Sequence, residues 1–257
     1  TVTGGTANCT GTLTRLGPTL TASSGTANLS SGEAVSLTTL NLSGTGILAG
    51  SDTVTVSGAT TWSGGTMQGT GLTQAQGGLH LSGNSGRNLG GGRVLAHEGT
   101  GDWTGTGQLQ STSSGVGTLR LVSGTFTVGD AGAQTTNALS AGTLVVEIQA
   151  GATLRKSLAG TTSVTTGVTS VTNAGTVDVT SGTLVLAGGG TSTGAFTVAS
   201  GSTLRFGGGT HNLDASSSVS GAGTGDFNAG TVNLAGTYNL TGTTTVTGGT
   251  ANWTGTL

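Results

Sequence analysis

Gly188-Gly189-Gly190-Thr191, Gly207-Gly208-Gly209-Thr210, Ala229-Gly230-Thr231 and Gly248-Gly249-Thr250 set a glycine corner before a threonine four times, and successive threonines lie 19, 21 and 19 residues apart. Between these corners run short patches that alternate apolar and polar residues: Phe196-Thr197-Val198, Thr203-Leu204-Arg205-Phe206, Val232-Asn233-Leu234 and Tyr238-Asn239-Leu240. β-branched residues at period two read as strands, and glycine supplies the left-handed backbone that tight corners need. A period near 20 with two or three strands per period is the pattern of a β-solenoid, in which each coil buries its apolar face only by stacking on its neighbours.

The same texture extends over the chain. Glycine makes up 53 of 257 residues, there is one proline, and hydrophobic residues are 32% of the total. Glycine and hydroxyl residues at this level also suit a flexible linker. Regularly spaced Val and Leu argue for a packed core instead, and the near-absence of proline suits an uninterrupted ladder. Sandwiches and barrels use longer strands and aromatic anchors. Aromatic residues are only 3% here, and many strand patches span three or four residues. The expected fold is therefore all-β: one continuous parallel β-solenoid over residues 1–257, with about twelve coils and a length of about 58 Å. Irregular excursions are expected near 81–97, where Gly90 to Gly92 fall together, and near 130–140 (DAGAQTTNALS).

A second recurrence has a much longer period. Thr1 to Leu13 reads TVTGGTANCTGTL and Thr245 to Leu257 reads TVTGGTANWTGTL; the stretches lie 244 positions apart and differ only at Cys9 versus Trp253. Val56 to Trp62 (VSGATTW) is a looser copy, so a coil-level motif is the competing explanation. Identity at twelve of thirteen positions favours one unit of a tandem array with a period of 244 residues. The chain begins at Thr1 rather than Met, as a fragment or processed product would. Neither end reads as a cap. The partners this implies are neighbouring repeats or copies, end to end.

Thr61 to Gly71 (TWSGGTMQGTG), Gly182 to Leu213 and Gly236 to Thr250 resemble the repeat regions of very large bacterial surface or secreted proteins. That resemblance implies a right-handed parallel β-helix and an extracellular or cell-surface location. The role it implies is a stalk, filament or adhesive scaffold. It carries over no functional residue.

Residues able to do chemistry are few. Net charge is −2, with no basic patch to neutralise phosphates, so nucleic acid is not an expected partner. No apolar run is long enough to span a bilayer. A single cysteine excludes an internal disulfide framework. His80, His97 and His211 lack metal-ligand spacing. The one polar concentration is His80, Arg87, Arg93, His97 and Glu98; His80 and His97 are 17 apart, close to one coil, which makes it a weak binding-site candidate or a solvated turn. Gly99-Thr100-Gly101-Asp102-Trp103 recurs as Gly223-Thr224-Gly225-Asp226-Phe227, but the copies are isolated and lack calcium-solenoid spacing. The simpler reading is a turn with an Asp acceptor and an inward aromatic.

The acids Glu33, Asp52, Glu98, Asp102, Asp130, Glu147, Asp178, Asp214 and Asp226 are scattered, and Lys156 beside Arg155 has no neighbouring acid in sequence. No phosphate loop occurs. The chain is therefore expected not to be an enzyme, with no catalytic, cofactor-binding or metal-ligating residue and no cofactor. A β-helix polysaccharide-degrading enzyme is the remote alternative.

Trp62, Trp103 and Trp253 read as core plugs or end caps. If they lie outside, glycan or surface binding by an adhesin module becomes the alternative. The pairs Thr53/Thr55, Thr125/Thr127 and Thr245/Thr247 are too irregular for an ice-binding face and read as structural ladders. Asn8, Asn28, Asn41, Asn239 and Asn252 open Asn-x-Ser/Thr triplets, glycan acceptors in a suitable host.

Overall fold

The computed structural model describes residues 1–13, 16–111, 115–129, 134–136, 143–164 and 168–257. Among them there is no helix, and every strand pairing is parallel. The chain winds as a three-faced solenoid. Thr6–Cys9 starts the second face, and the first full turn then sets Thr19–Ala22 on the first face, Thr26–Leu29 on the second and Val35–Leu37 on the third; the next turn repeats the order with Thr39–Leu42, Ile47–Gly50 and Val54–Val56. The first face is an 11-stranded sheet, so the solenoid has about eleven turns rather than twelve.

The difference comes from turn length. A turn takes 19 residues at Thr60↔Leu79 but 28 at Gly124↔Ala152. The excursion expected near 130–140 falls largely outside the described residues; within it Gln134–Thr136 forms a strand that pairs with Thr161–Val164. The excursion expected near 81–97 is instead an ordinary turn. Leu79–Leu81, Arg87–Leu89 and Val94–His97 lie in register with the turns on either side, and the glycines 90–92 make a corner.

The alternation seen in sequence decides which side chains enter the core. On the first face one inward column runs Leu20, Leu40, Thr60, Leu79, Gly101, Phe126, Leu154, Val177, Phe196, Val219 and Tyr238. Two residues along each strand a second column stacks Leu42, Trp62, Leu81 and Trp103. Truncating one such leucine to alanine costs about 2–5 kcal/mol, because its neighbours above and below are held by backbone ladders and close the gap poorly. Where a large ring enters, a small residue gives way. A Cβ on Gly101 would lie 2.7 Å from His97 Cε1 and 2.8 Å from Phe126 Cδ2.

Between the two inward columns stands an outward one, wholly polar: Thr21, Asn41, Thr61, His80, Asp102, Thr127, Arg155, Asp178, Thr197, Ser220 and Asn239. Parallel in-register stacking thus turns a scattered sequence pattern into a continuous strip.

Candidate functional site

The strip on the first face and the buried groups behind it are the candidate site. At its centre His80 Nδ1 and Asp102 Oδ2 lie 3.0 Å apart on adjacent turns, with side chains 43% and 44% exposed. Farther up, Arg155 Nε donates to Asp178 Oδ2 at 2.9 Å, and Thr197 Oγ1 donates to Asp178 Oδ1 at 2.7 Å. The other two described ion pairs follow the same rule: Arg120 with Glu147 on the third face and Arg205 with Asp226 on the second, each at 2.6 Å. All four join residues directly opposite one another in the ladder. Exposed pairs of this kind contribute about 0–1 kcal/mol each. Their value here is register, since a one-residue slip would place like groups against unlike ones.

The solenoid separates the polar concentration expected around 80–98. His80 points outward on the first face, whereas His97 is fully buried on the third. Arg87 and Arg93 are also fully buried. Arg87 donates to the Ser82 carbonyl at 2.6 Å and to the Gly107 carbonyl, and its guanidinium lies 5.5 Å from the Trp103 ring centroid. Arg93 donates to Thr73 Oγ1 at 2.9 and 3.1 Å, and to the carbonyls of Gln68 and Gly50. Burial pushes both guanidinium pKa values down to about 10, and for Arg93 the Asp52 charge opposes part of that shift.

Burial also pushes the Asp52 carboxyl up. Donation from Ser31 Oγ at 2.7 Å, Ser31 N at 2.8 Å and Gly32 N at 2.9 Å, with the Arg93 charge, more than reverses this and leaves it below the ordinary range. These groups are structural ties between turns. They were hidden in sequence because arginine is read as a surface residue. The usable signal was the alternation: Arg87 and Leu89, like Leu154 and Lys156, are two residues apart on strands with inward neighbours.

His97 packs edge-on to Phe126, with ring centroids 5.3 Å apart, and neither ring nitrogen makes a hydrogen bond of ordinary geometry. Burial pushes its pKa down, against the opposing influence of the Thr125 and Gly99 backbone and with the His80 charge adding to the drop. His211 is buried too, its Nε2 3.1 Å from the Gly208 carbonyl; burial likewise pushes its pKa down. Among the described residues no group of three or more His, Cys, Asp or Glu is placed to hold a metal ion.

The Gly-Thr-Gly-Asp-aromatic copies lie within strands, not turns, and on different faces: Thr100–Trp103 on the first, Thr224–Phe227 on the second. In both, the Asp meets a ladder partner, His80 for Asp102 and Arg205 for Asp226, and the aromatic is buried. Trp62 is 0% and Trp103 2% exposed, so neither offers a sugar platform; Trp253 is 36% exposed. Three of the triplet asparagines are occupied as well: Asn28 Nδ2 donates to Asn8 Oδ1 at 3.0 Å and Asn252 Nδ2 to Asn233 Oδ1 at 2.8 Å.

No protein family, curated protein or solved structure matches this chain. The fold and the ladder geometry are therefore what supports a functional reading. No helix among the described residues is long and apolar enough to cross a membrane.

Proposed function

We propose that this chain is a structural repeat unit of a bacterial extracellular filament, fibre or surface stalk, with neighbouring repeats of itself as its end-to-end partners. One observation carries the reading: the thirteen-residue recurrence at 244 positions lies on the two end turns of a solenoid, with Thr6–Cys9 in the first and Thr250–Trp253 in the last. A parallel solenoid lengthens by adding turns, and its end turns carry half-used ladders. The ties between successive turns suit a stiff rod. Ladder partners are tied by asparagine, threonine and ion-pair contacts on each face, and buried arginines clamp carbonyls of neighbouring turns.

The test is the native assembly. Denaturing gels and electron microscopy of the source material should show a polypeptide several times 24.4 kDa forming an unbranched rod whose length grows in steps of about 54 Å. A native polypeptide carrying the 244-residue unit once, in compact particles, overturns the reading.

A further inference from the structure

The two copies of the recurrence do not sit on the same face. In the first copy Val2 pairs with Ala22 on the first face, and Thr6–Cys9 pairs with Thr26–Leu29 on the second. In the last copy Val246 pairs with Phe227 on the second face, Thr250–Trp253 pairs with Thr231–Leu234 on the third, and Thr256 has already reached Thr237 on the first. The recurrence is therefore separated from itself by eleven turns and one further face. The chain winds first, second, third, so the displacement is one face forward.

Resting on the tandem-array reading above, we propose that the end formed by Val246 and Trp253 seats the next repeat, and that each repeat is turned by one face, a third of a revolution, relative to the one before. Three repeats complete about 34 turns, or ~163 Å at ~4.8 Å per turn, before the frame is restored.

The seat is specific. Val246 is 50% and Trp253 36% exposed, and both hold positions that neighbouring turns cover elsewhere. Behind them Phe206, Phe227, Tyr238 and Trp253 form an aromatic column, with ring centroids of Phe206 and Phe227 5.4 Å apart, Phe227 and Trp253 5.6 Å, and Tyr238 and Trp253 6.1 Å. The first copy shows what belongs on top: Ala22 lies opposite Val2 and Leu29 opposite Cys9. A following repeat would set its Ala22 over Val246 and its Leu29 over Trp253. It would also continue the asparagine ladder, since Asn8 accepts from Asn28 at one end as Asn233 accepts from Asn252 at the other.

The turned frame has a surface consequence. The strip through His80, Asp102, Arg155 and Asp178 faces one side in one repeat, the next side in the second and the remaining side in the third. A rod built this way presents that strip all round, whereas an unturned array confines it to one side.

Two measurements test this. In the 257-residue chain with Cys9→Ser, the pair Asn233→Cys/Asn252→Cys should oxidise to an intramolecular disulfide, because ladder partners lie within disulfide reach. The pair Asp226→Cys/Asn252→Cys should not; the reverse result places Thr250–Trp253 on the second face and overturns the turned frame. In the 257-residue chain extended by two further copies of residues 14–257, so that Trp253 stands at each junction, with Cys9→Ser at the start and Asn239→Cys in all three repeats labelled with small gold clusters, a cryo-EM reconstruction should find the labels on three different faces. Labels on one face of a continuous rod overturn the turned frame and leave the array standing. Three separated rods overturn the seat at Val246 and Trp253, and a native polypeptide with a single 244-residue unit removes the array reading itself.

Discussion

The Arg87 guanidinium lies over the Trp103 ring in the middle of the solenoid core, 5.5 Å from its centroid, while its ends cap the carbonyls of Ser82 and Gly107. A buried cation is tolerated because those carbonyls and the ring face replace water. Arg87→Ala should cost about 3–5 kcal/mol, since it takes the guanidinium donor from the Ser82 carbonyl, leaves the Gly107 carbonyl with only the Trp103 indole N–H at 3.1 Å, and opens a cavity against Trp103. Arg87→Met keeps the volume and should cost less. Urea unfolding of both variants checks the order; equal stability of Arg87→Ala and the parent sinks the argument.

His97 and His211 are buried and held below the ordinary imidazole pKa of 6.5. Above 6.5 neither the folded nor the unfolded chain binds the proton, and stability is fully present. As pH falls below 6.5 the unfolded chain protonates first, so stability is lost until the lowered folded pKa is reached. The melting temperature should be flat from pH 8 to about 7 and fall steadily toward pH 5. His97→Leu should flatten part of that fall. A parent melting curve independent of pH over this range contradicts the burial of both rings.

The period, the strand patches and the inward–outward alternation were all legible in the chain, because they repeat: Leu20, Leu40 and Val56 need no distant partner to be recognised as inward. Two kinds of feature were not. Turn length varies from 19 to 28 residues where loops lengthen between strands, and this shifts the turn count. Ladder partners also depend on that length, so the meeting of His80 with Asp102, 22 residues apart, or of Arg120 with Glu147, 27 apart, follows only once each turn is measured. The same accumulated variation turns a 244-residue recurrence into a displacement by one face.

Asn233 is the middle rung of an exposed ladder, donating to Asn212 Oδ1 at 2.7 Å and accepting from Asn252 Nδ2 at 2.8 Å. Asn233→Ala removes both bonds without opening the core. The expected loss is about 1–3 kcal/mol, from two hydrogen bonds of about 0.5–1.5 kcal/mol each. In the 257-residue chain, hydrogen exchange should show the loss concentrated in Thr250–Trp253, which pairs on one side with Thr231–Leu234, and much weaker in Thr210–Leu213.

Gly50 closes a corner with φ +106°, and a Cβ there would sit 1.8 Å from the Leu29 carbonyl oxygen of the turn below. Nothing lies within 4 Å of a Cβ on Gly11. Gly50→Ala must therefore break the stacking of two turns as well as strain the backbone, whereas Gly11→Ala has free space and a permitted conformation. Thermal melts should show a large drop for the first and a change within about 0.5 kcal/mol for the second. A harmless Gly50→Ala would mean the two turns are not in the described contact.

Three tryptophans report on the core and on its open end. Trp62 and Trp103 are buried, and Trp253 is 36% exposed in the turn that carries it. In the 257-residue chain acrylamide should quench one emitting population readily and leave the rest protected, and Trp253→Phe should remove the accessible population. Extending the chain by a second copy of residues 14–257 keeps Trp253 at the junction and covers it with a leucine-bearing strand, as Leu29 covers Cys9. The accessible fraction per tryptophan should then fall by about half, because only the outer Trp253 of the two remains open. An unchanged fraction in the joined chain means that the next repeat does not take the seat.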